Sequence, residues 1–265
     1  MAQIHPTAIV DASAKIAETA EIGPFCIVGP DVTIGERVKL LAYNYITGRT
    51  DIGDDCVCYP NATLGTKGQI LNNADVPNIL TIGPRTIIRE NVMISGADPE
   101  NAHPTRIGAD CYFMVNTHIG HDCQIGDKCV FAPGVMVGGR STVADQVWMG
   151  GAAAIHQNSW IGAHTFVGAG SVVTGDVIPF VSTLGNHAHI AAVNVVGLKR
   201  RGFSKSDIRG IHGAVKTIFQ GEGSFEERLK KAEADHGENT HAMSVIDFAR
   251  QERSGRPLCQ FRSGK

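Results

Sequence analysis

The chain has 265 residues, with 24 Lys+Arg against 26 Asp+Glu and seven cysteines. That length admits one large or two modest domains, and a formal net charge of −2 argues against a chain that coats nucleic acid. No apolar run reaches the roughly 18 residues of a transmembrane helix, and Met1-Ala-Gln-Ile-His-Pro lacks the basic region and apolar core of a signal peptide.

From the start the sequence repeats in sixes. Ile4, Val10, Ile16, Ile22, Val28 and Ile34 share one register, and Leu40, Ile46, Ile52, Cys58 and Leu64 continue it. The residue two before is small, as at Ala8, Ala14, Ala20, Cys26 and Ala62. A period of six is neither the turn of an α-helix nor the alternation of a plain strand. It marks short strands alternating with turns, stacked coil on coil. Three hexads per coil make a triangular prism whose inner positions take one large and one small side chain per side. Asn44 is an exception at a small position; it reads either as an amide ladder rung or as a turn residue. The glycine that often follows the large residue suggests a turn with positive φ.

Two interruptions are expected to bulge out as external loops, near residues 65–78 and 95–106, on either side of Ile82, Ile88 and Ile94. The first is rich in turn residues, and Asp98-Pro-Glu-Asn-Ala-His-Pro104 in the second cannot be strand. From Ile107 to Val173 the register is unbroken. Cys26, Cys56, Cys111, Cys123 and Cys129 fall on small inward positions and read as buried thiols rather than disulfides, which fits a reducing cytoplasm. Cys56-Val-Cys58 lacks the second pair of a zinc ribbon.

The prism is expected over residues 1–185 and a small helical domain over 186–265, so the fold class is mainly β with a C-terminal α-helical domain. Ser204 with Asp207 opens a helix carrying Ile208, Ile211, Val215 and Ile218 on one face. Ser224 with Glu227 opens a second, with Phe225, Leu229 and Ala232 inward, and a third begins near Thr240. The tail from Arg253 is basic and expected to be loose.

Chemistry concentrates in Asn116-Thr-His118-Ile-Gly-His121-Asp122. Ile119 is inward, so His121 and Asp122 fall in the following turn and face out, where they have no packing role. An imidazole is a good general base at neutral pH and a carboxylate can hold its tautomer; the bland reading is a pair of tolerated surface residues. His156-Gln157 lies two coils on at the same kind of corner, and His187 and His189 lie at the prism exit. Three histidines, His118, His121 and His156, also raise a zinc site of the carbonic-anhydrase type. Lys199-Arg200-Arg201, just before a helix start, suits phosphate or is a solvated charged face.

These strings, with Gly185-Asn-His-Ala188 and Asn194-x2-Gly-Leu-Lys-Arg-Arg-Gly-Phe-Ser204, resemble the acyl-carrier-protein-dependent UDP-N-acetylglucosamine O-acyltransferases of lipid A synthesis, within the hexapeptide-repeat transferases. The resemblance runs from the first hexad through the first C-terminal helix. It implies a left-handed parallel β-helix and a cytoplasmic homotrimer with sites between neighbouring prisms. It also implies an acyl carrier protein thioester as donor, a UDP-sugar acceptor, and no metal or other cofactor. It makes His121 the base, Asp122 its orienting carboxylate and Gly139 the oxyanion donor. It places Gln69, His118, His156, Gln157, Asn194, Arg200 and Arg201 against substrate, His187 near the acyl chain, and Ala169 at the chain-length ruler. The chain departs from the family pattern at Ile70, Asn72, Ser95, Arg140 and Val196, which replace an acid, a lysine, two histidines and a glutamate respectively. These departures leave the exact nucleotide-sugar acceptor open, and a related transferase or the zinc-dependent lyase stand as alternatives.

Overall fold

The computed structural model describes residues 1–71, 78–97, 104–251 and 256–262. Asn72 and the Asp98–His103 part of the second interruption lie outside the described residues.

Short strands, mostly of two residues, stack into three parallel sheets that form the faces of a triangular prism. We label them A, starting at Gln3–Ile4, B, starting at Ile9–Val10, and C, starting at Lys15–Ile16. The chain visits B, then C, then A in each coil. Equivalent residues pair eighteen apart, as in Gln3↔Glu21 and Ile9↔Ile27. The second residue of each strand points inward and builds the core: Ile22, Ile34, Ile88, Ile119 and Val137 are at most 2 % exposed. Phe113 and Phe131 stack on adjacent coils with ring centroids 5.0 Å apart. The architecture is a left-handed parallel β-helix with three hexads to the coil.

The small inward positions behave as expected. The prism's cysteines are buried and free, and several thiols donate to carbonyls of the next coil, as Cys123 Sγ does to Gly138 O at 3.4 Å. Burial pushes the Cys123 thiol up to about 12. Asn44 is a rung: it is 1 % exposed, its Oδ1 accepts Ala62 N–H at 3.0 Å, and its Nδ2 donates to Cys58 O at 3.4 Å.

The corners correct one expectation. Positive φ falls three residues after the inward apolar residue, at Asp110, Asn116, Asp122, Lys128 and Arg140, and not at the glycine that follows it directly, except at Gly65 where the first interruption begins. That glycine is required by close approach instead: a Cβ on Gly120 would lie 2.6 Å from Gly139 N of the next coil. The backbone N–H two residues after the inward position is handled differently at each corner. On the C-to-A corner an aspartate ladder accepts it, as Ala109 N donates to Asp127 Oδ1 and Asp127 N to Asp145 Oδ1, both at 2.8 Å. On the A-to-B corner Pro24, Pro60 and Pro133 remove the donor. On the B-to-C corner that place is held by His121, Gly139 and Gln157, and among the described residues no protein acceptor meets their N–H groups.

Both interruptions leave the prism at the same corner, on adjacent coils. Thr66 O accepts Asn78 Nδ2 at 3.1 Å and Gly96 N at 2.9 Å, so the loop ends are clasped together. At the far end Val181–Leu184 adds to face A and His189–Val193 turns back antiparallel to it. Four helices follow: α1 Val195–Arg200, α2 Lys205–Gln220, α3 Phe225–His236 and α4 Thr240–Arg250. Both anticipated capping boxes form, Ser204 with Asp207 and Ser224 with Glu227. The short α1 was not legible in the pattern; it is set by Asn194, whose Oδ1 accepts Gly197 N–H at 3.1 Å. Phe225, expected inward, is 37 % exposed and lies against Arg228, because it occupies the first position of α3 ahead of the buried Leu229 and Ala232. The expected loose tail is also corrected over its described part. Pro257 O accepts Asp176 N at 2.9 Å, Cys259 N donates to Asp176 O at 2.7 Å, and Ile190 N donates to Gln260 O at 2.8 Å. The segment 256–262 is thus a strap across the prism exit, with Cys259 buried.

Candidate active site

The B-to-C corner stacks three functional residues at one place on successive coils: His121, Gly139 and Gln157, each two residues beyond an inward Ile119, Val137 or Ile155. His121 is largely covered, its side chain 16 % exposed, and Nδ1 meets Asp122 Oδ2 at 2.5 Å. A carboxylate accepts only, so Nδ1 carries a proton, and in the neutral ring the lone pair is then on Nε2. Nε2 faces Gly139: a Cβ added there would come within 2.5 Å of it. On the ring's other side Gly68, from the first external loop, packs so closely that its Cβ would lie 2.9 Å from His121 Cβ and Cγ. Asp122 takes the left-handed corner conformation, φ +58. Thr105 Oγ1 accepts its N–H at 2.8 Å, and Arg140 Nε stands 3.7 Å from its Oδ2. Gly68 and Thr105 were invisible to a search for reactive residue types; the only signal was their place at the ends of the interruptions.

His118 projects from face B, paired with Met93 on one side and Met136 on the other. Burial, and secondarily His121, push its pKa below the ordinary histidine value, so it is neutral at neutral pH. Gln69 reaches the same ladder, its Nε2 at 3.5 Å from Met93 Sδ. Below His118 the outward residues of face B are Met136, Ala154 and Val172, an apolar strip that ends at His187, whose Nδ1 lies 3.4 Å from Thr174 Oγ1. Ile70 is 37 % exposed in the first loop. Ser95 is fully buried, and its Oγ has no partner.

His156 lies on the corner two coils from His121, about 10 Å away by strand spacing. Its Nδ1 is engaged by Arg256 of the strap. Among the described residues no group of three histidine, cysteine or carboxylate side chains is placed to hold a metal ion.

A second cluster lies on another side of the prism. Trp148, Phe166 and Ser182 of face A and the start of α1 enclose a cleft of about 630 Å³ that Asn194, Arg200 and Arg201 line. Asn194 is held as the cap of α1 and donates Nδ2 to His164 O at 2.9 Å. Arg201 Nη2 donates to Gln146 O at 2.8 Å, anchoring α1 to the prism. Val196 is 63 % exposed at the rim and brings no carboxylate there. Ala169 is exposed on the A-to-B corner, with its N 2.5 Å from where a Cβ on Gly150 would stand. The structure therefore unites Gln69, His118, His121, Asp122, Gly139 and Gln157, with His156 and His187 further along the same side, and places Asn194, Arg200, Arg201 and Ala169 elsewhere on the chain.

Comparison with known proteins gives the family of the chain. The bacterial transferase hexapeptide profile matches residues 104–139, and the second domain of the Udp N-acetylglucosamine O-acyltransferase profile matches residues 176–259. The chain is 45 % identical over 256 residues to the acyl-[acyl-carrier-protein]–UDP-N-acetylglucosamine O-acyltransferase of Caulobacter vibrioides, covering 97 % of each. It is 42 % identical over 258 residues to the Rickettsia canadensis protein of the same name, again covering 97 % of each. The crystal structure of the UDP-N-acetylglucosamine O-acyltransferase from Moraxella catarrhalis superposes with a TM-score of 0.92 at 34 % identity, covering 97 % of this chain and 99 % of that one. With near-complete coverage at such identity, and a histidine–aspartate pair on the corner of a hexapeptide prism, the chain belongs to the acyl-[acyl-carrier-protein]–UDP-N-acetylglucosamine O-acyltransferase family.

Proposed function

We propose that the chain moves a (3-hydroxy)acyl group from an acyl carrier protein thioester to the 3-hydroxyl of UDP-N-acetylglucosamine or a closely related UDP-sugar, the first acylation of lipid A synthesis, in the cytoplasm. The observation that carries the mechanism is His121, held by Asp122 with Nε2 beside Gly139, whose N–H meets no protein acceptor among the described residues. His121 Nε2 takes the proton of the sugar hydroxyl as its oxygen attacks the thioester carbonyl. Asp122 supports the imidazolium that forms, and the N–H of Gly139 accommodates the developing oxyanion. Collapse expels the carrier thiolate, which receives the proton back from His121. The strip Met136, Ala154 and Val172 gives the acyl chain an apolar bed. No metal or other cofactor takes part in this route.

The working unit in this reading is a homotrimer. Outward residues of face C are mostly polar, among them Lys15, Thr33, Asp51, Thr81 and Gln124, with Trp160 the exception at its far end. Face A instead presents Ile87, Tyr112, Val130, Trp148 and Phe166, and face B presents Ile27, Tyr45, Met93 and Met136. Packing face A of one copy on face B of the next buries both and leaves C in water. It brings the A-to-B corners, lined lower down by Gly134, Ala152 and Gly170, to the threefold axis. The same packing sets the His121 corner opposite the neighbour's Asn194, Arg200 and Arg201, which no single chain does. The departures Ile70, Asn72 and Val196 remove charges from the sugar-nucleotide end, which favours an acceptor other than, or bound more weakly than, the ordinary one. The test is to incubate the protein with a panel of acyl carrier protein thioesters and UDP-sugars and identify products by mass. A 3-O-acyl UDP-sugar supports the reading; an N-acyl product, or none with any pair, overturns it.

A further inference from the structure

The strap returns one side chain to the catalytic corner. Arg256 Nε donates to Gln157 O at 3.2 Å, and its Nη2 engages His156 Nδ1. These partners are 99 and 100 residues away in the chain. Asp176 and Ile190 hold the segment that carries Arg256 through backbone hydrogen bonds to Pro257, Cys259 and Gln260. Leu258 and Phe261 pack against the core. The guanidinium is therefore delivered by a pinned backbone, at the rung directly beyond Gly139.

An arginine is a donor only and stays charged at all working pH values. Where it donates to His156 Nδ1, that nitrogen must be the acceptor, so the proton of the neutral ring is on Nε2. The 3.3 Å approach of Nδ1 to Gln157 O is then a contact and not a hydrogen bond. At the same time the Nε bond fixes the peptide of Gln157, the residue stacked beyond His121 and Gly139. We propose that Arg256 is a positioning residue of the acyl-transfer site, holding His156 as a neutral Nε2–H donor and orienting Gln157 toward the bound substrate. This inference rests on the transferase reading of the His121 corner. It extends the site to the last residues of the chain.

The test is a double-mutant cycle on the full-length protein with the acyl carrier protein thioester and UDP-sugar pair that gives product. Arg256→Ala is expected to raise KM by roughly tenfold, the scale of one charge-assisted hydrogen bond, with a smaller fall in kcat. Arg256→Lys, which keeps one donor, should recover part of that loss. His156→Ala should cost about as much as Arg256→Ala, and the double variant no more than the worse single one, because the two act as a unit. Additive losses, or an unchanged KM in Arg256→Ala, would overturn the proposal. A variant strap that has come undone is recognised by a lowered unfolding temperature, and the cycle is then run with Arg256→Gln, which keeps most of the aliphatic stem but has neither the charge nor the terminal nitrogen that reaches His156. His121→Ala assayed alongside separates the two claims: if it retains full turnover, the site reading itself fails, whereas loss there with no effect at Arg256 defeats only the role of the strap.

Discussion

At the scale of the residue, the site is made by what the B-to-C corner omits. In several coils the other two corners dispose of the same backbone N–H by an aspartate or a proline; here histidine, glycine and glutamine stand in that place on three successive coils and, in this reading, leave it for substrate. His121→Ala is expected to lower kcat by roughly a hundredfold or more, the usual contribution of a positioned base, with circular dichroism unchanged because the corner contributes little to the core. Asp122→Asn should lower it less, since the imidazole remains. His118 is neutral and set beside the ladder of Met93 and Met136, so His118→Ala should raise KM more than it lowers kcat. Steady-state kinetics on the three variants checks the order. Arg140, beside Asp122 at 3.7 Å where the family pattern has a histidine, adds a cation to the pair, and nothing in the structure explains that replacement.

At the scale of the element, two features bear the stability of the coils and of the junction. Asn44 satisfies Ala62 N–H from inside the prism. Asn44→Ala leaves the buried Ala62 N–H without its acceptor, while Cys58 O keeps its bond from Leu41 N, and should cost about 1–3 kcal/mol, read as a shift of the urea midpoint. The junction between prism and helices is an aromatic cluster in which the His164 ring stacks on Phe180 at 5.4 Å and meets Phe203 edge-on at 5.0 Å. Burial, then Arg201 and His241, lower the His164 pKa from 6.5 to about 4. The unfolded chain therefore binds this proton at higher pH than the folded one. The stability contributed is complete above about 6.5, is lost as pH falls from there toward 4, and changes no further below it. His164→Phe keeps the stack and removes the titration, so urea midpoints measured across that window should slope less steeply than in the unmodified protein. An equal slope would mean that other groups carry the dependence.

At the scale of the whole molecule, face C is mostly polar while face B and the part of face A from Ile87 to Phe166 are largely apolar, and this asymmetry is the reason to expect an assembly. Light scattering should return three times the mass of one chain. Ile87, 36 % exposed on face A, is a suitable place to break it. Ile87→Asp puts a charge where face B would press and should release folded monomers that have lost acyl transfer. A charge of the same kind at Thr142, outward on face C, should leave the mass unchanged. Monomers at micromolar concentration in the unmodified protein would remove the wall opposite His121 and, with it, the composite site.

Local chemistry determined the prism, because a period of six in side-chain size leaves few other ways to bury Ile22, Ile119 or Phe113 beside Cys26 or Cys111. The capping boxes of α2 and α3 are likewise decided by residues three apart, and the candidate base by its place in a turn after an inward isoleucine. What the tertiary structure alone decided depends on residues far apart in the chain or on neighbouring coils. The glycines after the large residues answer to a backbone eighteen residues on, not to their own φ. The rank of His121, Gly139 and Gln157 along one edge, and the open N–H among them, exist only once coils are stacked in register. Asn194, Arg200 and Arg201 read as one site with His121 in the sequence, yet they stand on another side of the prism. The strap that carries Arg256 reads as a loose basic tail in the sequence because its backbone partners, Asp176 and Ile190, are distant in the chain, and hydrogen bonds between distant segments leave no periodic trace.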